Sequence, residues 1–324
     1  MSGAKLRRRP LYSAHLICAP RVVAFGAAVV LALCAVGVAE GADEVLIAPR
    51  ASQSQTSGKP QESIRLDVKA VLVPVTVTDQ RNRPIQDLKK EDFRLFEDAV
   101  QQDISTLAWE DAPTSIGVIF DASNSMTKKI AASVNAMDQF FQTSLPGDEF
   151  LLIRFSDRPD CVSGFTSDID DISAWLHATR AHGWTALNDA IYMGIEKMKG
   201  ARNNRRALLV LSDGGDNNSR YSKSELLALV READVRIYSI SFYQGSHLLE
   251  SISEETGGGL IQVRSSAEVA GAVGKLSREI HSQYVLSYYS NHPQNDGKYH
   301  RVRVSTVDPA LRVSWRHGYY SPSF

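Results

Sequence analysis

The period of the apolar positions changes several times along the chain. Across 64–113 it is two: Val71, Val73, Val75 and Val77 fall on one face and Thr76 and Thr78 on the other, the pattern of a half-buried strand. The polar turn Asp79 to Pro84 follows, and Phe93 and Leu95 then predict a second short strand. Across 114–282 apolar strands alternate with amphipathic helices. Ile116 to Phe120 is a continuous apolar strand, after which Ile130, Val134, Met137 and Phe141 recur at helical spacing. Strands are predicted at 149–155, 161–165, 207–212, 235–242 and 260–263, and helices at 171–180, 186–198, 224–233, 248–255 and 267–281. This alternation implies a doubly wound, mostly parallel sheet with helices on both faces, and in such sheets ligands bind beyond the carboxyl ends of the strands. Period two returns across 283–324, in Tyr284, Leu286 and Tyr288 and then Val302, Val304, Val313 and Trp315. Neither flanking β segment is long enough to close a core. Pairing of 283–324 with 64–113 into one small β-sandwich, with the α/β domain inserted, is therefore expected.

Residues 1–39 depart from all of this. Lys5, Arg7, Arg8, Arg9 and Arg21 precede the apolar run Val22 to Val38, and no acidic residue occurs before Glu40. That is the layout of a signal peptide, with Gly37 and Ala39 as the small residues before a cleavage point, or of a retained membrane anchor. Residues 40–63, rich in Ser, Gln and Pro, read as a flexible linker. Export as a periplasmic, secreted or membrane-anchored protein is the expectation. Two of the three cysteines, Cys18 and Cys34, lie in the leader, so Cys161 would have no disulfide partner in the mature chain. Removing the leader takes away five basic residues and leaves 31 basic against 37 acidic, a net charge of −6, which argues against a nucleic-acid surface.

The chemistry-bearing residues sit at the predicted strand ends. Directly after Phe120 comes Asp121-Ala122-Ser123-Asn124-Ser125, one carboxylate and two hydroxyls in a tight loop. Oxygen donors of this kind suit Mg2+, Ca2+ or Mn2+. Taken alone, the pentapeptide is equally readable as Asp and Ser capping a helix that begins near Thr127. Two further segments add to it: Thr185 opens the helix in Gly183-Trp184-Thr185-Ala186, and Asp213 follows the strand that ends at Ser212. In a doubly wound sheet these loops meet at one edge.

Asp121-x-Ser123-x-Ser125, Thr185 and Asp213 resemble the metal ion-dependent adhesion site of von Willebrand factor A-type (VWA) domains, over about 114–282. The leader, the alternating strand, Phe93-Arg94-Leu95-Phe96-Glu97-Asp98 and the terminal Gly318-Tyr319-Tyr320 extend the similarity to a class of bacterial von Willebrand A-related proteins. The resemblance implies a Rossmann-like domain holding a divalent cation, Mg2+ first with Ca2+ or Mn2+ as alternatives. Ser123, Ser125 and Thr185 would approach the cation through hydroxyls, and Asp121 and Asp213 directly or through water. It implies a protein or peptide partner whose Asp or Glu completes the shell, with Asn124, Trp184 and Gly214 on the rim. No nucleic acid is expected, and no membrane contact except through a retained N-terminal segment.

Among other candidates, Asp216, Asn217 and Asn218 read as a solvated loop capping the helix near Ser224 rather than as a second cation site. Asp189, one turn into its helix, reads as a support for the loop. Trp184 reads equally as a rim residue or as a partly buried loop aromatic. His182 with Ser123 and Asp121 makes a poor hydrolytic triad, because a cation-bound serine is not presented to a base and no Gly-x-Ser-x-Gly is present. Gly257-Gly258-Gly259 reads as a helix-ending turn. A non-catalytic binding or adhesion protein is the leading expectation. The alternatives are a scaffold subunit of a membrane-associated complex with a structural metal and a metal-assisted hydrolase.

Overall fold

The computed structural model describes residues 70–242, 245–292 and 296–322. The expected leader and linker lie outside the described residues. The chain begins with four strands, β1 (Ala70–Thr78), β2 (Phe93–Glu97), β3 (Val100–Gln102) and β4 (Ile104–Glu110). The α/β part follows as β5 (Thr114–Asp121), α1 (Ile130–Phe141), β6 (Glu149–Phe155), β7 (Pro159–Thr166), α2 (Ile169–His177), α3 (Leu187–Met198), β8 (Arg205–Ser212), α4 (Lys223–Glu232), β9 (Arg236–Ser241), α5 (His247–Thr256), β10 (Leu260–Gln262) and α6 (Val269–His281). Four strands close the chain: β11 (Gln283–Tyr289), β12 (Tyr299–Thr306), β13 (Arg312–Trp315) and β14 (Gly318–Tyr320).

The central sheet has the order β10-β9-β8-β5-β6-β7, parallel except for β7, which runs antiparallel to β6. All eight residues of β5 are buried, as expected for a strand covered on both faces. Val118, Phe120 and Leu209 pack with Met137, Phe141 and Leu276 from α1 and α6. On the other face Ile119, Leu151 and Leu208 meet Ile191 and Ile195 of α3 and Leu249 of α5. Each fully buried aliphatic side chain of this kind contributes about 1.5–3 kcal/mol.

The first and last strands combine into two antiparallel sheets, β13-β1-β11-β4 and β14-β12-β2-β3. Their inward residues, Val73, Val75, Tyr284 and Leu286 from one sheet and Leu95 and Val304 from the other, share one core. The fold class expected from the apolar periods is therefore the one observed, an α/β domain inserted in a small β-sandwich. One detail differs. β1 was expected to be half-buried, but Thr76 and Thr78 are buried as well as the valines. Thr76 lies against the α/β domain, where its Oγ1 accepts from Arg236 Nη1 at 2.9 Å and donates to the Ser282 carbonyl.

The chain crosses between the two parts at 111–113 and at 282, and both crossings are pinned by buried polar groups. Arg205 donates to the carbonyls of Ala112 (2.9 Å) and Ile280 (2.6 Å). Asp148 accepts from the backbone of Thr114 and Leu145 and pairs with His281 Nε2 at 3.0 Å, which together hold its carboxyl below the usual range despite burial.

Near the end of α6, burial pushes the Glu279 carboxyl up to about 7 against the opposing pull of Arg236, Arg278 and Lys275. A folded-state value above the unfolded 4.5 means that the folded protein binds this proton more tightly. The associated stability is present at acid pH and is lost as pH rises through about 7. Glu279→Gln is therefore expected to be nearly neutral at pH 4.5 and to add about 1–2 kcal/mol at pH 8, allowing for partial exposure. Urea midpoints at the two pH values measure this, and an equal effect at both would contradict desolvation as the cause.

Candidate functional site

β5, β6 and β8 end side by side, and the loops after β5 and β8 are laced through main-chain groups to the segment between α2 and α3. Asn124 N–H donates to the Gly183 carbonyl at 3.2 Å, and His182 N–H to the Ala122 carbonyl at 2.8 Å. The N–H groups of Asn217 and Asn218 both donate to the Thr185 carbonyl, at 3.0 and 3.2 Å. The segments carrying Asp121-Ser123-Ser125, Thr185 and Asp213 are thus held as one surface.

At its base lies Asp121, fully buried at the end of β5. Its Oδ1 accepts from the Ser123 N–H at 2.8 Å and its Oδ2 from Ser212 Oγ at 2.6 Å. Burial raises this carboxyl above its ordinary value, the two serine hydrogen bonds pull it back, and the negative charge of Asp213 pushes it further up. Ser123 Oγ and Ser125 Oγ stand 3.0 Å apart. Thr185 is buried just before α3, and its N–H donates to Asn217 Oδ1 at 2.9 Å. Asp213 lies beyond β8, and Lys129 Nζ is 3.4 Å from its Oδ2. Gly214, at φ 81°, leaves no room for a side chain, because a Cβ there would meet Ser246 Oγ at 2.2 Å.

The helix-capping reading of the pentapeptide is corrected. A short 3-10 turn spans 124–126, and α1 begins only at Ile130 with no side-chain cap. Asp121 and Ser123 turn their hydrogen bonds into the loop instead. The 216–218 loop also differs from expectation, since α4 is capped by Ser222, which forms a capping box with Glu225. Asp216 instead accepts from the first N–H groups of α3, Leu187 at 3.0 Å and Asn188 at 3.4 Å. The reason is topological: the end of β8 lies beside the start of α3, nearer than its own chain neighbour α4. Asp189 receives the N–H groups of Arg220 and Tyr221 at 2.9 and 3.0 Å, so it supports the loop. Trp184 is 64% exposed, which removes the reading of a partly buried aromatic. His182 Nε2 faces Ser156 Oγ at 2.9 Å and its Nδ1 the Arg180 carbonyl at 3.0 Å, so its ring is engaged away from Ser123.

Sequence reasoning missed Ser212, Lys129 and Asp157. Asp157 accepts from the Trp184 N–H at 2.8 Å and shapes the 183–185 turn. Ser212 had a legible signal, a hydroxyl in an otherwise apolar strand one residue before Asp213. Lys129 and Asp157 had none, because only the fold brings them to these loops.

A mostly parallel sheet covered by helices, with hydroxyls and carboxylates gathered in connected loops at its carboxyl edge, defines the class of α/β domain. The von Willebrand factor type A domain family model matches residues 116–215, and the α/β part of this chain is a von Willebrand factor type A domain. Domains of this type generally serve adhesion or protein interaction. A curated relative, inter-alpha-trypsin inhibitor heavy chain H4 of Bos taurus, is 22% identical over 201 residues, covering 56% of this chain and 22% of that protein. The chain thus spans about a fifth of that relative's length. Among solved structures, von Willebrand factor type A from Catenulispora acidiphila is similar at a TM-score of 0.47 and 12% identity, covering 78% of this chain and 72% of that one. The conserved hypothetical protein BatB from Bacteroides thetaiotaomicron is similar at 0.41 and 14%, covering 52% and 100%.

Proposed function

We propose that the chain is an exported, non-catalytic binding protein whose Asp121, Ser123, Ser125, Thr185 and Asp213 hold a divalent cation, Mg2+ first, for capture of an acidic side chain from a protein partner. The observation that supports this reading is the joining of the loops after β5 and β8 to the segment before α3 around a buried Asp121. The donor set fits the ion: two carboxylates and three hydroxyls are hard ligands, matched to Mg2+, Ca2+ or Mn2+ rather than to a soft metal. Two carboxylates neutralise a dication and three neutral hydroxyls add little charge, so the bound cation would supply an electrophilic position for one Asp or Glu carboxylate.

The protein's own groups define the rest. Ser212 and the Ser123 N–H orient the two oxygens of Asp121, while Asp157 and Asn217 fix the turn that carries Thr185. Exposed Trp184 and Asn124 form the rim that a partner would cover. Lys129 neutralises part of Asp213 and so moderates its affinity for a cation. The His182 imidazole is held by Ser156 and the Arg180 carbonyl rather than facing Ser123. Export rests on the charged and apolar layout of residues 1–39.

Calorimetric titration of the metal-stripped protein with Mg2+, Ca2+ and Mn2+ tests this reading. The wild type is expected to bind one ion at this site. The Asp121→Ala, Asp213→Ala double variant is expected to lose that binding by at least about 100-fold, because loss of two charged ligands exceeds the 10–100-fold penalty of losing an outer-shell partner. Absence of any uptake by the folded wild type would overturn the metal-dependent mechanism.

A further inference from the structure

A second convergence of ligating side chains lies in the β-sandwich. Asp98 occupies the β2–β3 turn, His292 follows β11 and His300 is in β12. One ligand atom from each falls within 4.8 Å of the others. His300 Nδ1 is 2.8 Å from Asp98 Oδ2, and His292 Nε2 is 3.7 Å from the same oxygen. The His292 nitrogen is shut off from solvent and has no hydrogen-bond partner, an unusual state for a polar atom.

The surroundings are built to hold this arrangement. Asp98 is held in the left-handed region at φ 45°, and its Oδ1 is occupied by the Arg301 N–H at 2.9 Å, which leaves Oδ2 to face the two imidazoles. The second nitrogen of buried His300 lies 3.2 Å from Asp296 Oδ1, and that oxygen also accepts the Lys298 N–H at 2.9 Å. A carboxylate behind a histidine, with the other ring nitrogen turned to a shared point, is the usual support of a metal-bound imidazole.

We propose that Asp98, His292 and His300 form a binding site for a first-row transition-metal dication, Zn2+ foremost, with Asp296 orienting His300. Ligand chemistry favours such ions over Mg2+ or Ca2+, because two of three donors are imidazole nitrogens. Geometry agrees: bonds of 2.0–2.1 Å in a tetrahedral shell set neighbouring ligands about 3.3 Å apart, and the separations of 2.8 and 3.7 Å bracket that value. The His292 ring lies 29° from the plane of the His300 ring, with their centroids 5.2 Å apart. The bound ion would tie residue 98 to residues 292 and 300, closing a loop of nearly 200 residues across the inserted domain. Both histidines also line a cavity of about 640 Å³.

Zn2+ uptake by the chelator-treated full chain in saturating Mg2+, compared between wild type and His292→Ala, tests the site. Wild type is expected to hold one more tightly bound Zn2+ per chain than the variant and to melt at higher temperature with Zn2+ than without. Asp296→Asn is expected to weaken uptake 10–100-fold while keeping the stoichiometry. His292 lies at the surface of a loop, so its replacement spares the fold even where a change at buried His300 would not. Equal Zn2+ stoichiometry and affinity in wild type and His292→Ala, or no Zn2+ uptake by the folded wild type, would overturn the proposal.

Discussion

Gly258→Ala is expected to destabilise the protein by about 4 kcal/mol, a large part of the roughly 5–15 kcal/mol that holds a domain folded. Helix α5 ends in a left-handed Gly257, at φ 74°, whose N–H returns to the Glu254 carbonyl while that of Gly258 bonds to Ser253. This reversal presses the chain onto β9. A Cβ on Gly258 would stand 2.0 Å from the Ile237 carbonyl oxygen and 2.6 Å from its carbon, and both belong to a strand bonded on both sides within the central sheet. No side-chain rotation relieves a clash with backbone, so either the sheet or the end of α5 must move. Gly271→Ala provides the contrast: it lies inside α6 with nothing within 4 Å of the added Cβ, and is expected to gain about 0.5–1 kcal/mol. Urea unfolding of both variants checks the pair. A loss below about 1 kcal/mol for Gly258→Ala would mean that this close approach does not exist in solution.

The second large effect is expected at Glu97, whose carboxyl group is fully buried inside the sandwich. Oε1 accepts from Tyr288 Oη at 2.9 Å and Tyr319 Oη at 2.6 Å, and Oε2 accepts from Ser290 Oγ. Burial and the adjacent Glu97 hold both tyrosine hydroxyls well above their ordinary range, so both act as donors at any working pH. Glu97→Ala leaves three hydroxyls without an acceptor and opens a void, a loss of about 3–5 kcal/mol. Glu97→Gln keeps one acceptor oxygen and should lose about 1–2 kcal/mol. Adding Tyr319→Phe to Glu97→Ala should recover part of the loss, since one stranded hydroxyl is then removed. Thermal unfolding of the series reads this, and a Glu97→Ala variant as stable as wild type would refute the network.

Glu97 also explains two sequence features that were noticed without a reason. Phe93-Arg94-Leu95-Phe96-Glu97-Asp98 and Gly318-Tyr319-Tyr320 lie more than 200 residues apart, yet they flank β12 in one sheet of the sandwich. There Glu97 accepts from Tyr319, and Asp98 meets His300 at the next turn. As a sequence, the first reads only as a strand end and the second only as a tail. The cost of burying the Glu97 carboxyl is offset only when all three donors come from β11, the turn after it and β14 together.

The strand-end loops divide in the same way. Asp121, Ser123, Ser125, Thr185 and Asp213 could be located by position, because each sits where an apolar strand or an amphipathic helix begins or ends. Of their supports only Ser212 left a signal, since Asp157 and Asp216 act on loops distant in sequence. Asp216 shows this most clearly: reading locally, it belongs to the following helix, whereas the fold gives it to α3.

What the sequence determined by itself was the period of each segment, and hence the alternating α/β domain, the two flanking β segments and the edge at which chemistry would appear. Apolar burial is set by spacing within one element, which a sequence displays directly. Tertiary structure alone decided which strands pair across the insertion, that both faces of β1 are covered, that Lys129 reaches Asp213 and that Asp98, His292 and His300 meet. Those outcomes depend on partners far apart along the chain, and hydrogen bonding and charge act through distance in space, which spacing along the chain does not encode.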